Sequence, residues 1–227
     1  MTREAYAEAF RKVTGRPLVQ LPQMAGRSES GIFFEALALN GIDLSDMGSS
    51  ESLLPLFIDE LATSFAARRD LLPQKGRLLP GARDSVAAVG RLRDVVQTVL
   101  TGTIRPNAVQ KLRAFGLDRF FDFGIGGYGS EAYPKGTLLQ VARSRAAEKY
   151  HVTYGEHATV YIGDSTRDVE AARIGGARSI GVASGRSTLA DLREAGADIA
   201  LADLSNAASV VRAIERLTQP PATAPRP

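Results

Sequence analysis

Two aspartates four residues apart carry the strongest chemical signal in this chain. The segment Val160-Tyr-Ile-Gly-Asp-Ser-Thr-Arg-Asp-Val ends a short apolar run at Gly163, and Asp164 and Asp168 follow. A helical pattern then opens on Val169, Ala171 and Ala172. The order is strand, acidic loop, helix. In open α/β sheets ligands gather beyond the carboxyl ends of the strands, so two carboxylates there suit a cation. The plainer alternative is that Asp164 or Ser165 caps the helix and Asp168 decorates its first turn. With no cysteine and only two histidines, His151 and His157, any metal should be a hard ion on oxygen.

Two other segments carry groups suited to an anion. Thr101-Gly102 closes an apolar run, placing a hydroxyl and a glycine amide where a phosphate oxygen could approach. Lys135 stands at the start of a helical pattern, where its charge opposes the helix dipole and could balance a transferring phosphoryl group. Taken alone, a threonine closing a strand is a turn residue and a lysine in a loop is a solvated charge. Arg27, beside Gly26 in a loop between helical patterns, is a third candidate for a substrate anion, with a solvated surface role as its alternative.

The elements that must position these groups change character along the chain. Tyr6, Ala9, Phe10 and Val13, then Ile32, Phe33 and Leu37, then Leu54, Phe57, Ile58, Leu61 and Phe65 repeat at helical spacing. Residues 1–75 therefore read as a small helical bundle, in which Phe33, Phe34, Phe57 and Phe65 serve as core rather than as a ligand box. From 76 to 218, apolar runs alternate with helical patterns, the signature of an α/β parallel sheet core. Strands are expected over 95–100, 120–125, 159–162, 178–182 and 198–202. Helices are expected near 82–92, 106–115, 136–149, 167–174, 187–195 and 205–217. Residues 219–227, rich in proline and alanine, read as a disordered tail.

The chain of 227 residues carries a net charge of +3 with no concentrated basic run, which argues against a nucleic-acid partner. No window reaches eighteen consecutive apolar residues and no signal peptide is evident, so no membrane partner and a cytoplasmic location are expected.

In this order and with these flanks, Thr101, Lys135 and Gly163-Asp164-Ser165…Asp168…Gly175-Gly176-Ala177 resemble the second, third and fourth motifs of the haloacid dehalogenase superfamily. The likeness is to its phosphoglycolate phosphatase-like branch with a helical cap. Leu79-Pro80-Gly81-Ala82 looks like the return from cap to core. The fourth motif is the most specific match; the third is looser, because Lys135 is followed by Gly-Thr-Leu rather than a proline-rich pattern. The resemblance implies a Rossmann-like core and Mg²⁺-dependent hydrolysis of a small phosphorylated metabolite through an aspartyl-phosphate. Asp164 and Asp168 would serve the metal, Thr101 and Gly102 a phosphoryl oxygen, and Lys135 charge balance. Phosphomutases and dehalogenases use the same scaffold.

The family's first motif, Asp-x-Asp, supplies the nucleophile and the acid/base, and this chain has no two aspartates separated by one residue. The resemblance places that motif on a central strand ahead of the cap, so a first strand is expected to be missing. Two explanations stand. Either the reading frame starts too late and the native protein carries the strand and nucleophile, or the chain is a non-catalytic descendant that binds a phosphorylated ligand or a protein.

Overall fold

The computed structural model describes residues 2–24, 27–43, 50–131 and 135–219, with backbone alone at 50–52 and 135. In chain order the helices are α1 (Thr2–Thr14), α2 (Glu29–Leu39), α3 (Ser50–Ala66), α4 (Leu72–Lys75) and α5 (Ala82–Val89). They continue with α6 (Arg105–Ala114), α7 (Lys135–Tyr150), α8 (Thr166–Gly175), α9 (Leu189–Glu194) and α10 (Ala207–Thr218). The strands are β1 (Leu100–Thr101), β2 (Gly127–Tyr128), β3 (Val160–Gly163), β4 (Arg178–Val182) and β5 (Ile199–Leu201). Contacts gather them into two compact units: Met1–Leu78 with Thr98–Leu138, and Leu79–Gln97 with Leu139–Pro227. The expected tail falls, beyond Gln219, outside the described residues.

In the first unit the helical stripes become a core. Tyr6, Ala9 and Phe10 of α1, Ile32, Phe33 and Leu37 of α2, and Phe57, Leu61 and Phe65 of α3 are all buried in one cluster, which Ile104 joins. Phe33 stacks on Phe57 with ring centroids 4.1 Å apart, and Tyr6 meets Phe57 edge-on at 4.8 Å. Burying each such ring contributes roughly 1.5–3 kcal/mol. The sheet of this unit is a single parallel pair, Leu100 opposite Gly127 and Thr101 opposite Tyr128. The aromatic cluster therefore holds the unit together, and the two-residue strands position a loop.

Two expected strands are corrected here. The run 95–100 pairs only from Leu100, and Val95 is largely exposed. The run 120–125 is no strand: a 3-10 turn covers Asp118–Phe120. The Gly124 N–H then donates to the Asp122 carboxylate at 2.9 Å, a local turn that competes with sheet pairing. The Tyr128 hydroxyl donates to the Phe123 carbonyl at 2.8 Å, and pairing begins only at Gly127.

The second unit is a parallel three-stranded sheet in the order β3-β4-β5. Ser179 to Val182 of β4 are buried, as expected of a strand flanked on both sides. Ile180 and Val182 join Val89, Val210, Ala213 and Ile214 in its core. Helix α5 stops at Val89 rather than at 92, with Gly90 as its C-cap. Helix α9 is likewise shorter than expected, because Thr188 and Asp191 form a capping box that fixes its start. Among the described strands β3 pairs on one side only, with β4. The fold is α/β with parallel sheets and flanking helices, as the alternating pattern predicts.

Candidate functional site

The first unit contains the loop that follows β1. Thr101 is half-buried, and its Oγ1 accepts the Thr103 N–H at 3.1 Å. Thr103 Oγ1 in turn accepts from Lys111 Nζ of α6 at 3.2 Å. The Ile104 N–H, at the N-cap of α6, donates to the Glu29 carboxylate at 2.5 Å. Glu29 is buried, which pushes its pKa above the usual carboxylate range despite that hydrogen bond and the Lys111 charge.

The first turn of α2 rests on this loop. The Glu29 N–H donates to the Gly102 carbonyl at 2.8 Å and the Ser30 N–H to the Gly129 carbonyl at 3.1 Å. Two of the helix's unpaired amides are thereby satisfied by loop carbonyls, and the Ser28 hydroxyl takes the Gly31 N–H. The approach is so close that a Cβ at Gly102 would lie 1.9 Å from the Arg27 carbonyl oxygen. The glycine read from sequence as room for an anion is thus also required by packing. The Arg27 guanidinium pairs with Glu35 and donates to the Gly31 carbonyl at 3.4 Å, so it is directed at its own helix. Lys135 is the first residue of α7; its side chain, with Tyr133 and Pro134, lies outside the described residues.

The second unit contains the acidic loop between β3 and α8. Asp168 is buried at 5% exposure. Its carboxylate accepts the Tyr161 hydroxyl at 2.9 Å, the Asp164 and Ser165 N–H groups at 3.2 and 3.1 Å, and the Ser165 hydroxyl at 2.7 Å. With Ser165 as N-cap it forms one arm of a capping box. Burial, followed by the Asp168 charge and hydrogen bond, pushes the Tyr161 phenol pKa well up, so Tyr161 stays a donor. Asp168 therefore ties the end of β3 and the acidic loop to the first turn of α8.

Asp164 differs. It is exposed at the end of β3, and among the described residues its carboxylate accepts no hydrogen bond. Gly185 keeps the space beside it open: a Cβ there would lie 2.4 Å from Asp164 Oδ2. Beyond Gly185 an open depression of about 450 Å³ is lined by Thr166, Arg186, Ser187, Asp191, Glu194 and Ala195. No group of three or more acidic, histidine or cysteine side chains gathers around an ion position among the described residues. One available carboxylate still fits Mg²⁺, which takes one or two carboxylates and completes its shell with water and phosphate oxygens.

Thr101, Gly102 and Arg27 thus fall in the first unit, and Asp164 and Asp168 in the second. Sequence reasoning missed Glu29, Lys111, Tyr161 and Gly185. Of these, Tyr161 and Gly185 had a local cue, lying within or just after the strands that carry the loop and its neighbour.

No curated protein matches the chain by sequence. Among solved structures it is similar to a hydrolase from Pseudomonas syringae, with 19% identity, a TM-score of 0.59, and 94% of this chain and 91% of the other covered. A predicted phosphatase from Clostridium acetobutylicum gives 18%, 0.59, 94% and 90%. A beta-phosphoglucomutase from Clostridium difficile gives 15%, 0.61, 95% and 92%. At such identities the likeness establishes the fold. No described helix is long and apolar enough to cross a membrane. The sequence profile of the haloacid dehalogenase-like hydrolases matches residues 2–173, and the chain belongs to that family.

Proposed function

We propose that this chain binds a small phosphomonoester with Mg²⁺, in the manner of the family's phosphoglycolate phosphatase-like branch, and that the 227 residues alone do not hydrolyse it. The observation that carries the reading is the state of the Thr101 hydroxyl. Its oxygen accepts the Thr103 N–H, which leaves its proton to be donated outward, as an anion requires. Lys135 supplies a positive charge at the start of α7. Asp164 supplies the exposed carboxylate for the ion, and Asp168 supports it indirectly, by fixing the Asp164 and Ser165 amides. When bound, the ion contributes positive charge to the phosphoryl oxygens.

Turnover by the family's route needs a carboxylate nucleophile with a second carboxylate two residues later. The chain has no two aspartates separated by one residue, so p-nitrophenyl phosphate should not be turned over. Inorganic phosphate binding, followed by calorimetry, tests the reading. Mg²⁺ should strengthen it, Asp164→Asn should remove that gain, and Thr101→Val should weaken binding with or without the ion. No saturable phosphate binding in either condition refutes the proposal, and Mg²⁺-dependent turnover that Asp164→Asn abolishes refutes the missing chemistry. Mass spectrometry of the native N-terminus separates the two explanations. A longer polypeptide bearing Asp-x-Asp assigns the turnover to that form, and a start at Met1 leaves a binding protein.

A further inference from the structure

We propose that Lys111 is a positioning residue for the anion-binding loop: it acts through Thr103 to fix the Thr101 hydroxyl, while Glu29 pins the same loop from α2. The inference deepens the phosphate reading and rests on it for the identity of the ligand.

Lys111 is set where a packing residue would be expected. Its Nζ lies 5.5 Å from the centre of the Phe65 ring, within the apolar cluster of the first unit. Burial holds its pKa below the usual lysine range. Among the described residues it forms no ion pair, and its hydrogen-bond partner is Thr103 Oγ1. A methionine or leucine would fill this space without the cost of desolvating an ammonium. What the ammonium adds is a fixed donor beneath the loop.

The connections run in one direction. Lys111 donates to the Thr103 hydroxyl, the Thr103 N–H donates to Thr101 Oγ1, and Thr101 keeps its proton for an anion. The next amide, Ile104 N–H, is held by the Glu29 carboxylate, and the Glu29 N–H holds the Gly102 carbonyl. Residues 101–104 are therefore fastened by the Lys111 ammonium from α6 and the Glu29 carboxyl group from α2, with the Gly129 N–H on the Thr103 carbonyl at 3.2 Å. Without Lys111 the Thr103 side chain is free to turn, and the residue whose amide orients Thr101 keeps only its carbonyl bond to the Gly129 N–H as an anchor.

The test uses the full chain with Lys111→Met, Thr103→Val, the double variant and Lys111→Arg. Amide hydrogen exchange is read by NMR without ligand, inorganic phosphate affinity by calorimetry, and the thermal midpoint alongside. Loss of a single hydrogen bond corresponds to about tenfold in an equilibrium. Exchange at Thr103 and Ile104 should rise by about that factor in each single variant, with α1 and α3 unchanged. Phosphate affinity should fall about tenfold in each, no further in the double variant, and recover in part with Lys111→Arg. Unchanged exchange at both amides, or a lowered midpoint with phosphate affinity intact, overturns the proposal by reducing Lys111 to packing. Faster exchange in the variants of a protein that binds no phosphate supports the positioning role and sinks the phosphate reading instead.

Discussion

The two loops that carry the candidate residues are built in opposite ways. The loop at 163–168 is fastened locally: the Asp168 carboxylate accepts from Tyr161, Asp164 and Ser165, each within seven positions of it. The loop at 101–104 is held from afar, by Glu29 at a separation of 75 residues and by the first turn of α2. A local loop is as stable as its own short segment. A loop fastened by distant helices depends on their packing, and disturbance of either partner should reach it.

The comparison can be broken most forcefully at Gly102. A Cβ there meets the Arg27 backbone carbonyl, which cannot turn aside, so Gly102→Ala should cost about 3 kcal/mol in denaturant unfolding. A cost under about 0.5 kcal/mol would show that α2 does not rest on this loop. For the locally fastened loop, Asp168→Ala strands four donors. It should cost about 2–3 kcal/mol by the same measurement. Gly185→Ala acts on function instead, because the added methyl meets a side chain that can swing away. Displacing the Asp164 carboxylate should weaken Mg²⁺ affinity about tenfold in calorimetry, with little change in stability.

Glu29 gives a finer test through pH. Its folded pKa is raised, so the stability it contributes is fully present below its unfolded value and is lost as pH rises through the folded value. Glu29→Gln should therefore gain on the wild type as pH rises toward neutrality, and that gain should vanish in acid. Denaturation midpoints across pH that move in parallel for both proteins would contradict this sign. The smallest effect belongs to Arg27→Ala, which removes a half-exposed pair with Glu35 and should change stability by less than about 0.5 kcal/mol. A large loss of phosphate affinity in that variant would restore Arg27 as a ligand contact.

This difference in construction also decides what the sequence reveals. Gly163-Asp164-Ser165…Asp168 carries the amides and the hydroxyl that its own Asp168 carboxylate accepts, so type and spacing are enough to identify the loop. Lys111 and Glu29 are invisible because nothing local marks them: one looks like a surface lysine on a helix, the other like the acidic residue of a helix's first turn. The helical stripes of 1–65 are legible because burial follows their period, as Phe33, Phe57 and Phe65 show. The runs at 95–100 and 120–125 mislead because apolar content favours strand. The run at 120–125 is turned aside by the Asp122 turn and the Tyr128 hydroxyl, which periodicity does not register.

The seating of α2 on the loop has a mechanical consequence. The Glu29 and Ser30 amides are bonded to the Gly102 and Gly129 carbonyls, and the Glu29 side chain is bonded to the Ile104 amide. A swing of α2 away from the loop must break all three at once, so Ser28 and Glu29 make a poor hinge. Motion that admits a ligand has to carry α2 and residues 101–104 as a single body. Under the proposed phosphate reading, a substitution near Ser28 that loosens α2 should also weaken the hold of residues 101–104 on the anion.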